Sequence, residues 1–525
     1  TTVFELLKEE SENYKPEKAS EITGVSAKVI EKTAKIFADA DPGMIYAGYA
    51  SCKWLHGDLL QRAMLLLLAL TGSTGKEGGG LQIANSPNAR GLTQFGFSDV
   101  GPAFRLISST TWDYDHADMK ELNQKIYGND LAEKFDRYYK KSIEEDWFPD
   151  YSKNGWKMGF FAGNNGANWR ATGSTWRKTA FEELETIVSL APDMGVTSLY
   201  SDYVLPIAHH YERNDLMLQS RVPYLQVLNE AVPPLGEAVD DWEANRRLAE
   251  AISRRAKERN IKPIQDAVDG RTVRRDYTKT LELYTMGGRV NNSKDVAQFI
   301  INASHGIPKI SFEELSQKGI VKVEGVESTM WEKDESPYHN EIVKSVKKKL
   351  PYETFTGRQQ FYIDHEWFIE FGETLPTFKE PLKIDEFPLR MMMGHARHGI
   401  HSTWRDDSFL LSLQRGEPDI YVNPDDATNR GVQDGDMIRV YNTAGEFFAM
   451  AHVSSGIQPG MLFMYHGWDP KMFKGDKNFS EVIPTGGLIK PTSMAGDYGH
   501  LGYQPLAFAP NQTYKDFTCD FEKSA

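Results

Sequence analysis

Between Gly394 and Arg405 the chain reads Gly394-His395-Ala396-Arg397-His398-Gly399-Ile400-His401-Ser402-Thr403-Trp404-Arg405, three histidines and two arginines in a short span. Imidazoles and guanidinium groups donate hydrogen bonds, and arginine can grip a phosphate with two parallel bonds. Gly394 and Gly399 let the backbone come close to a ligand. The apolar run Leu389-Arg390-Met391-Met392-Met393 that leads in reads as a strand delivering N–H groups and cations to an anion. A solvated basic loop is the plainer alternative, and this stretch by itself leaves both open.

Two further clusters favour the ligand. Lys157 to Gly163 reads as a buried strand that opens into Asn164-Asn165-Gly166-Ala167-Asn168, with a helix from about Ser174. Ligands of open α/β sheets bind at the carboxyl ends of strands, and helix starts favour anions. Ile187 to Asp193 is another strand ending in a carboxylate, followed by Thr197 to Asp202 and the strand Tyr203 to Pro206. Such side chains suit the polar edge of a purine or pterin, although Asp193 and Ser198 taken singly read as helix caps. The third cluster is Thr485 to Thr492, with Gly486, Gly487 and Lys490. The pair His209-His210 lacks the spacing of a metal site, and neighbours on one element should point apart, so a structural or hydrogen-bonding role is expected. Thr71 to Gly80 is glycine-rich but lacks the spacing of a phosphate loop, and packing is the commoner cause of its three successive glycines.

The elements that must position these clusters fall into two kinds. Residues 1–40 read as helices, with Ser26 as a cap; Met44 to Gly48 reads as a strand and Gly57 to Leu70 as an amphipathic helix, an α/β order. Residues 81–155 read as an excursion over the core that includes a charged helix from Met119 to Glu145. Trp242 to Lys257 reads as a helix, and Asn260 to Lys349 as polar and helical with loops. After Pro351 the period shortens. Thr356 to Ile363 reads as a strand. Pro424 opens a short helix capped by Asn423 and stopped by Gly431, and strands follow at Asp436–Tyr441, Phe447–Val453 and Met461–Tyr465. Regular short strands with tight turns predict a β-barrel or sandwich. The division expected is therefore an α/β region over residues 1–350 and a β domain over 351–525.

Composition sets outer limits. A net charge of −14 over 525 residues argues against nucleic acid as the partner, so an anionic ligand must meet local positive charge. Two cysteines, Cys52 and Cys519, exclude a disulfide framework and any four-cysteine site supplied by this chain alone. No signal peptide or transmembrane run is visible. The chain opens at Thr1 in a helical region and is expected to be a processed or partial polypeptide.

Several ordered motifs carry a family resemblance. They are LTGSTGKEGGG, LYSDYVLPIAHHYERNDL, Thr356 to His365, GHARHGIHSTWRDD, NPDDATNRGVQDGDMIRVYN and QPGMLFMYHGW. Together the chain resembles the C-terminal half of the catalytic subunit of molybdopterin oxidoreductases of the dimethyl sulfoxide reductase family. The similarity is greatest to the branch with nitrate reductase, nitrite oxidoreductase, perchlorate, chlorate and selenate reductases and ethylbenzene dehydrogenase. The closing segment from Pro491 to Lys523 looks most like nitrite oxidoreductase. The resemblance implies a layered α/β region followed by a six-stranded, double-psi-like barrel. It implies a bis(molybdopterin guanine dinucleotide) cofactor with molybdenum, and an iron–sulfur cluster in an N-terminal half that nothing here matches. It places Gly163, Asn164, Asn165, Asn168, Asp193, Ser198 and Asp202 near one guanine dinucleotide. It places His395, Arg397, His398, Gly399, Ile400, His401, Ser402, Lys490 and Thr492 near the pterins or phosphates, and names no metal ligand or catalytic residue in this chain. The partners implied are the N-terminal half, an iron–sulfur beta subunit, a haem b gamma subunit and a small oxyanion substrate, at an extracytoplasmic site. A non-catalytic binding or assembly protein is the alternative of another class.

Overall fold

The computed structural model describes residues 1–48, 50, 53–76, 78–82, 119–144, 156–218, 224–268, 271–304, 307–323, 346, 348–352, 356–383, 387–405, 407–413, 416–484 and 515–524. Lys490 and Thr492, with the rest of the third cluster, lie outside these residues, as does Cys52. No described helix is long and apolar enough to cross a membrane.

Helix α1 (Val3–Ser11) starts on a reciprocal capping box between Thr2 and Glu5. Helix α2 (Pro16–Thr23) has proline in its first turn and stops at left-handed Gly24. Helix α3 (Ala27–Asp39) follows Ser26, which occupies the cap position without a side-chain bond to the helix. Strand β1 (Met44–Tyr46), helix α4 (Gly57–Leu70) and strand β2 (Gly80–Gln82) form a small layer in which β1 and β2 pair in parallel. A Cβ on Gly79 would sit 2.6 Å from both Pro42 Cβ and the Ser73 carbonyl oxygen, so packing accounts for that glycine. Helix α5 (Met119–Glu144) is interrupted at Gly128.

The second layer holds β3 (Met158–Ala162), α6 (Gly166–Trp169), α7 (Gly173–Glu182), β4 (Thr186–Ala191), α8 (Val196–Leu199) and β5 (Tyr203–Pro206). The strands run parallel in the order β3-β4-β5, and Trp176, Phe181, Ile187 and Val196 form the core beneath them. Parallel strands leave their carboxyl ends for loops. Here β4 is buried, while Met158 and Phe160 of β3 and Tyr203 of β5 are exposed, so the strand expected to be buried from Lys157 to Gly163 has one open face.

Next come β6 (Asp215–Leu218), β7 (Tyr224–Leu228), α9 (Asp241–Glu258), β8 (Ile264–Val268), β9 (Arg271–Arg275), α10 (Thr280–Tyr284), α11 (Ser293–Ala303), α12 (Phe312–Lys318) and β10 (Ile320–Lys322). The helices expected between residues 260 and 349 are present as α10, α11 and α12, but the strands were not foreseen: β8 and β9 form a hairpin, and β10 joins β7 and β6 in an antiparallel sheet over Leu225, Ile301 and Leu315. The apolar residues of its strands, Ile264, Ala267, Val268 and Val273, do not alternate with polar ones, so no period-two pattern announced the hairpin, which is held partly by the cross-strand pair Arg275–Asp266 at 2.6 Å.

The strand expected over Thr356–Ile363 is also absent. Gly357 turns with φ 66°, and Arg62 of α4 takes the carbonyls of Phe361, Glu373 and Thr374, at 3.3, 2.6 and 2.8 Å. Within the stretch the Phe361 carbonyl is thus met by a guanidinium, the Gly357 carbonyl by the Tyr352 N–H and the Ile363 N–H by the Thr374 carbonyl, so these groups find partners without a strand ladder. Helix α13 (Glu366–Glu370) follows.

Strands β11 (Leu389–Gly394), β12 (Asp419–Val422), β13 (Met437–Tyr441), β14 (Glu446–Val453), β15 (Met461–Tyr465) and β16 (Thr518–Lys523) close into a barrel in the order β11-β15-β12-β14-β13-β16. Helices α14 (Ser408–Ser412) and α15 (Pro424–Asn429) lie in the connections, the latter capped by Asn423. Alternate residues point inward: Leu389, Met391 and Met393 from β11, Phe447, Ala449 and Ala451 from β14, Cys519 and Phe521 from β16. Period-two alternation is what one buried sheet face requires. Barrel and α/β layer are joined by buried polar bonds. Asn478 Nδ2 donates to the Asn168 carbonyl at 3.2 Å and to its side-chain oxygen at 3.1 Å. Thr172 N–H donates to the Ile483 carbonyl at 3.2 Å.

Candidate functional site

Strands β11 and β15 are parallel neighbours, with Gly394 opposite Tyr465. A histidine follows each strand directly, so His395 and His466 leave adjacent strand ends side by side, and the His466 N–H donates to the Gly394 carbonyl at 3.0 Å. The loop after His395 then turns back. His401 and Trp404 take left-handed backbone, φ 53° and 60°, a conformation that costs a side-chain-bearing residue of the order of 1 kcal/mol or more. The reversal brings His401 Nδ1 to 3.0 Å from His466 Nε2, and the His395 ring centroid to 4.8 Å from His401 and 4.5 Å from His466. Three imidazoles from two strand ends and one turn thus face one another. Burial pushes His466 down to about 4, with His395 and His401 adding to the shift, and His401 is lowered for the same first reason. Lowered in this way, His466 and His401 offer donors and acceptors rather than charge.

The loop is anchored from below. Arg405 is 1% exposed, its guanidinium carbon 3.8 Å from the Trp468 ring centre, and burial pushes it down to about 10. Arg397 and His398 are exposed, and among the described residues neither has a hydrogen-bonding or ion-pair partner, which leaves their donors for an anion. Gly399 is half-buried and Ile400 exposed, bridged to Thr403.

The α/β layer meets this loop. Asn165 Nδ2 donates to Ser402 Oγ at 3.1 Å, while Asn165 Oδ1 accepts from the Thr197 N–H at 3.1 Å and its hydroxyl at 2.8 Å. Gly163, left-handed at φ 60°, and Asn164 lie at the carboxyl end of β3 and are exposed. Asp193 is exposed beyond β4. Ser198 is buried, its hydroxyl 3.0 Å from that of Ser189, and the cap of α8 is Gly195 rather than either of them. Two predicted residues are turned to other work. Asn168 is 2% exposed and tied to Asn478. Asp202 precedes β5 and accepts the Ile187 N–H at 2.7 Å, at the amino end of the sheet and away from the loop. Replacing Asn165 with Ala, or Ser402 with Ala, is expected to weaken the junction by about 1–2 kcal/mol each and less than additively together, as a double-mutant cycle on thermal stability would show.

His209 and His210 do not point apart as expected. Beyond Pro206 the chain leaves the strand, and the two ring centroids lie 3.9 Å apart with the planes tilted by 35°, Trp404 being 5.6 and 6.0 Å away. The sequence reading also missed His466. It stands alone in the sequence, 65 positions beyond His401, and only the barrel register pairs it with His395.

A stability test follows from His466. Its folded value lies below the ordinary 6.5, so between about pH 6.5 and 4 the unfolded chain binds the extra proton and stability falls as pH falls, by up to ~3 kcal/mol. Urea unfolding at pH 7 and pH 4.5 should show this loss, and His466→Gln should remove that part of the pH slope. An unchanged slope in the variant would contradict the assignment.

Fold and site together define a two-lobed cofactor-binding enzyme, a parallel α/β layer whose loops meet those of a closed six-stranded barrel. Residues 7–251 match the family model Molybdopterin oxidoreductase, and residues 389–493 match the Molydopterin dinucleotide binding domain. The chain belongs to the molybdopterin oxidoreductases of the dimethyl sulfoxide reductase family. It is 33% identical to the perchlorate reductase subunit alpha of Dechloromonas aromatica (strain RCB), over 99% of this chain and 56% of that protein. It is 31% identical to the dimethylsulfide dehydrogenase subunit alpha of Rhodovulum sulfidophilum, over 99% and 58%, and 32% identical to the respiratory nitrate reductase subunit alpha of Haloferax mediterranei, over 100% and 55%. The chain therefore spans little more than half the length of the curated relatives it matches. Acetylene hydratase from Pelobacter acetylenicus shares the fold at a TM-score of 0.63 and 17% identity, over 99% of this chain and 66% of that one.

The residues present suit a molybdopterin. Loops from both lobes are in contact through Asn165 and Ser402, the imidazoles supply a donor and acceptor edge, and Arg397 and His398 are exposed, with donors of the kind an anion accepts.

Proposed function

We propose that this chain forms part of the catalytic subunit of a molybdenum oxidoreductase that couples oxygen-atom transfer to two-electron transfer, oxidising nitrite to nitrate, with nitrate reduction as the reverse. The observation that carries the reading is the junction of Asn165 with Ser402 beside the histidine trio. A bis(molybdopterin guanine dinucleotide) bound there supplies the redox chemistry. The chain's own residues hold and orient it: Gly163 to Asn165 from the layer, Arg397, His398 and Ser402 from the barrel, with the trio at a polar ring edge. Buried Arg405 fixes the loop, and such supporting contacts set the polarity around a metal centre. The expected division at residue 350, an N-terminal half with an iron–sulfur cluster, an iron–sulfur beta subunit, a haem b gamma subunit and an extracytoplasmic location all belong to this proposal. The perchlorate reductase relative favours a second reading, reduction of a chlorine oxyanion.

The test uses the complete complex. Molybdenum at one per complex with two guanine nucleotides released on hydrolysis supports the cofactor, and absence of both refutes the enzyme in favour of a non-catalytic binding protein. Steady-state rates with nitrite and an artificial acceptor, against nitrate, chlorate or perchlorate and a donor dye, then separate the substrates. A rate with perchlorate or chlorate and none with nitrite or nitrate would overturn the first reading for the second.

A further inference from the structure

We propose that before its cofactor is in place the chain binds one divalent d-block ion, such as zinc, through His395, His401 and His466. The inference rests on the reading above only in that the same trio then faces the cofactor. The three ligand nitrogens all lie within 4.8 Å of one another, two of them at 3.0 Å. Zinc–imidazole bonds of about 2.0–2.1 Å place ligand nitrogens roughly 3.3 Å apart, so small ring rotations bring the set onto one ion. His466 is the fixed member, half-buried at the end of β15 with its N–H held by Gly394. His395 and His401 are exposed and free to adjust. Three imidazoles with water in the fourth position make a complete tetrahedral set for zinc, and nitrogen donors favour copper, nickel and zinc over magnesium or calcium. The strained backbone at His401 is the cost of turning that ring into the cluster. Occupancy by an ion and by the cofactor then exclude each other.

The experiment titrates zinc or cobalt(II) into the cofactor-free 525-residue chain without an affinity tag, followed by calorimetry and by the visible bands of tetrahedral cobalt. One ion per chain is expected at micromolar affinity or tighter, with roughly 100-fold weaker binding in His466→Ala and His466→Gln and none of that loss in the control His452→Ala, each variant checked for its native circular dichroism. Binding that is unchanged in both His466 variants, or weaker than millimolar in the native chain, overturns the proposal. Loading the chain with molybdopterin dinucleotide should abolish the cobalt bands. Bands that persist alongside a bound cofactor would leave the ion site standing and overturn the trio's assignment to the cofactor.

Discussion

Replacing Gly467 with alanine should abolish cofactor retention and cost more than ~4 kcal/mol of stability. Gly467 follows His466 at the end of β15 with φ 94°, and a Cβ there would lie 1.8 Å from the His401 carbonyl oxygen and 2.4 Å from its carbon. That contact is with backbone, so no rotamer change relieves it. Either β15 or the reversing loop must move, and either movement separates His401 from His466. Gly460 provides the contrast, with φ 81° but no atom within 4 Å of the place a Cβ would take. Gly460→Ala should therefore cost only the backbone strain, about 1–2 kcal/mol. Urea unfolding of the two variants, with pterin fluorescence of the released cofactor, measures both effects. Comparable losses in the two would show that loop approach is not what Gly467 secures.

The second large effect is expected at Glu481. Its carboxylate accepts the Ser174 N–H at 2.8 Å and the Ser174 hydroxyl at 2.6 Å at the start of α7, and lies 3.6 Å from Arg177, with both charged side chains at most 6% exposed. Arg177 in turn donates to the carbonyls of Ala167 and Asp476, at 3.0 and 3.1 Å. One carboxylate thus ties the barrel to α7, the helix that follows α6 and the Gly163–Asn165 loop. Glu481→Ala leaves a buried guanidinium without its counter-charge and a helix start without its acceptor, an expected loss of about 3–5 kcal/mol. The double replacement Arg177→Met with Glu481→Leu removes both charges and should recover part of that loss. Chemical denaturation of the three variants decides the matter. A single variant no worse than the double would mean that the pair contributes little to the junction.

Much of this was legible in the residues. Helix α4 runs from Gly57 to Leu70 as its pattern implied, and β3, β4 and β5 fall where apolar runs ended in glycine, aspartate or proline. Four barrel strands announced themselves by alternation and by turn residues such as Asn442 to Gly445. Strands β12 and β16 did not. Strand β12 has only four residues, and β16 reaches its partners β13 and β11 only by closing the barrel from a distant part of the chain. The Glu481 and Asn478 bonds were invisible for a related reason: lone polar residues have no period, and their partners lie 307 and 310 positions away.

The sequence by itself determined the local vocabulary: which segments are helix or strand, which loops carry cations and asparagines, and which family the ordered motifs resemble. Those properties depend on neighbours a few positions apart, where side-chain period and backbone preference act. Tertiary structure alone decided which loops share a space. Register between β11 and β15 placed His466 beside His395, the left-handed turn at His401 completed the trio, and the run of β4 and β5 sent Asp202 to the opposite edge from Asn165. Contacts of this kind arise from packing between segments far apart in the chain, and no short-range pattern records them.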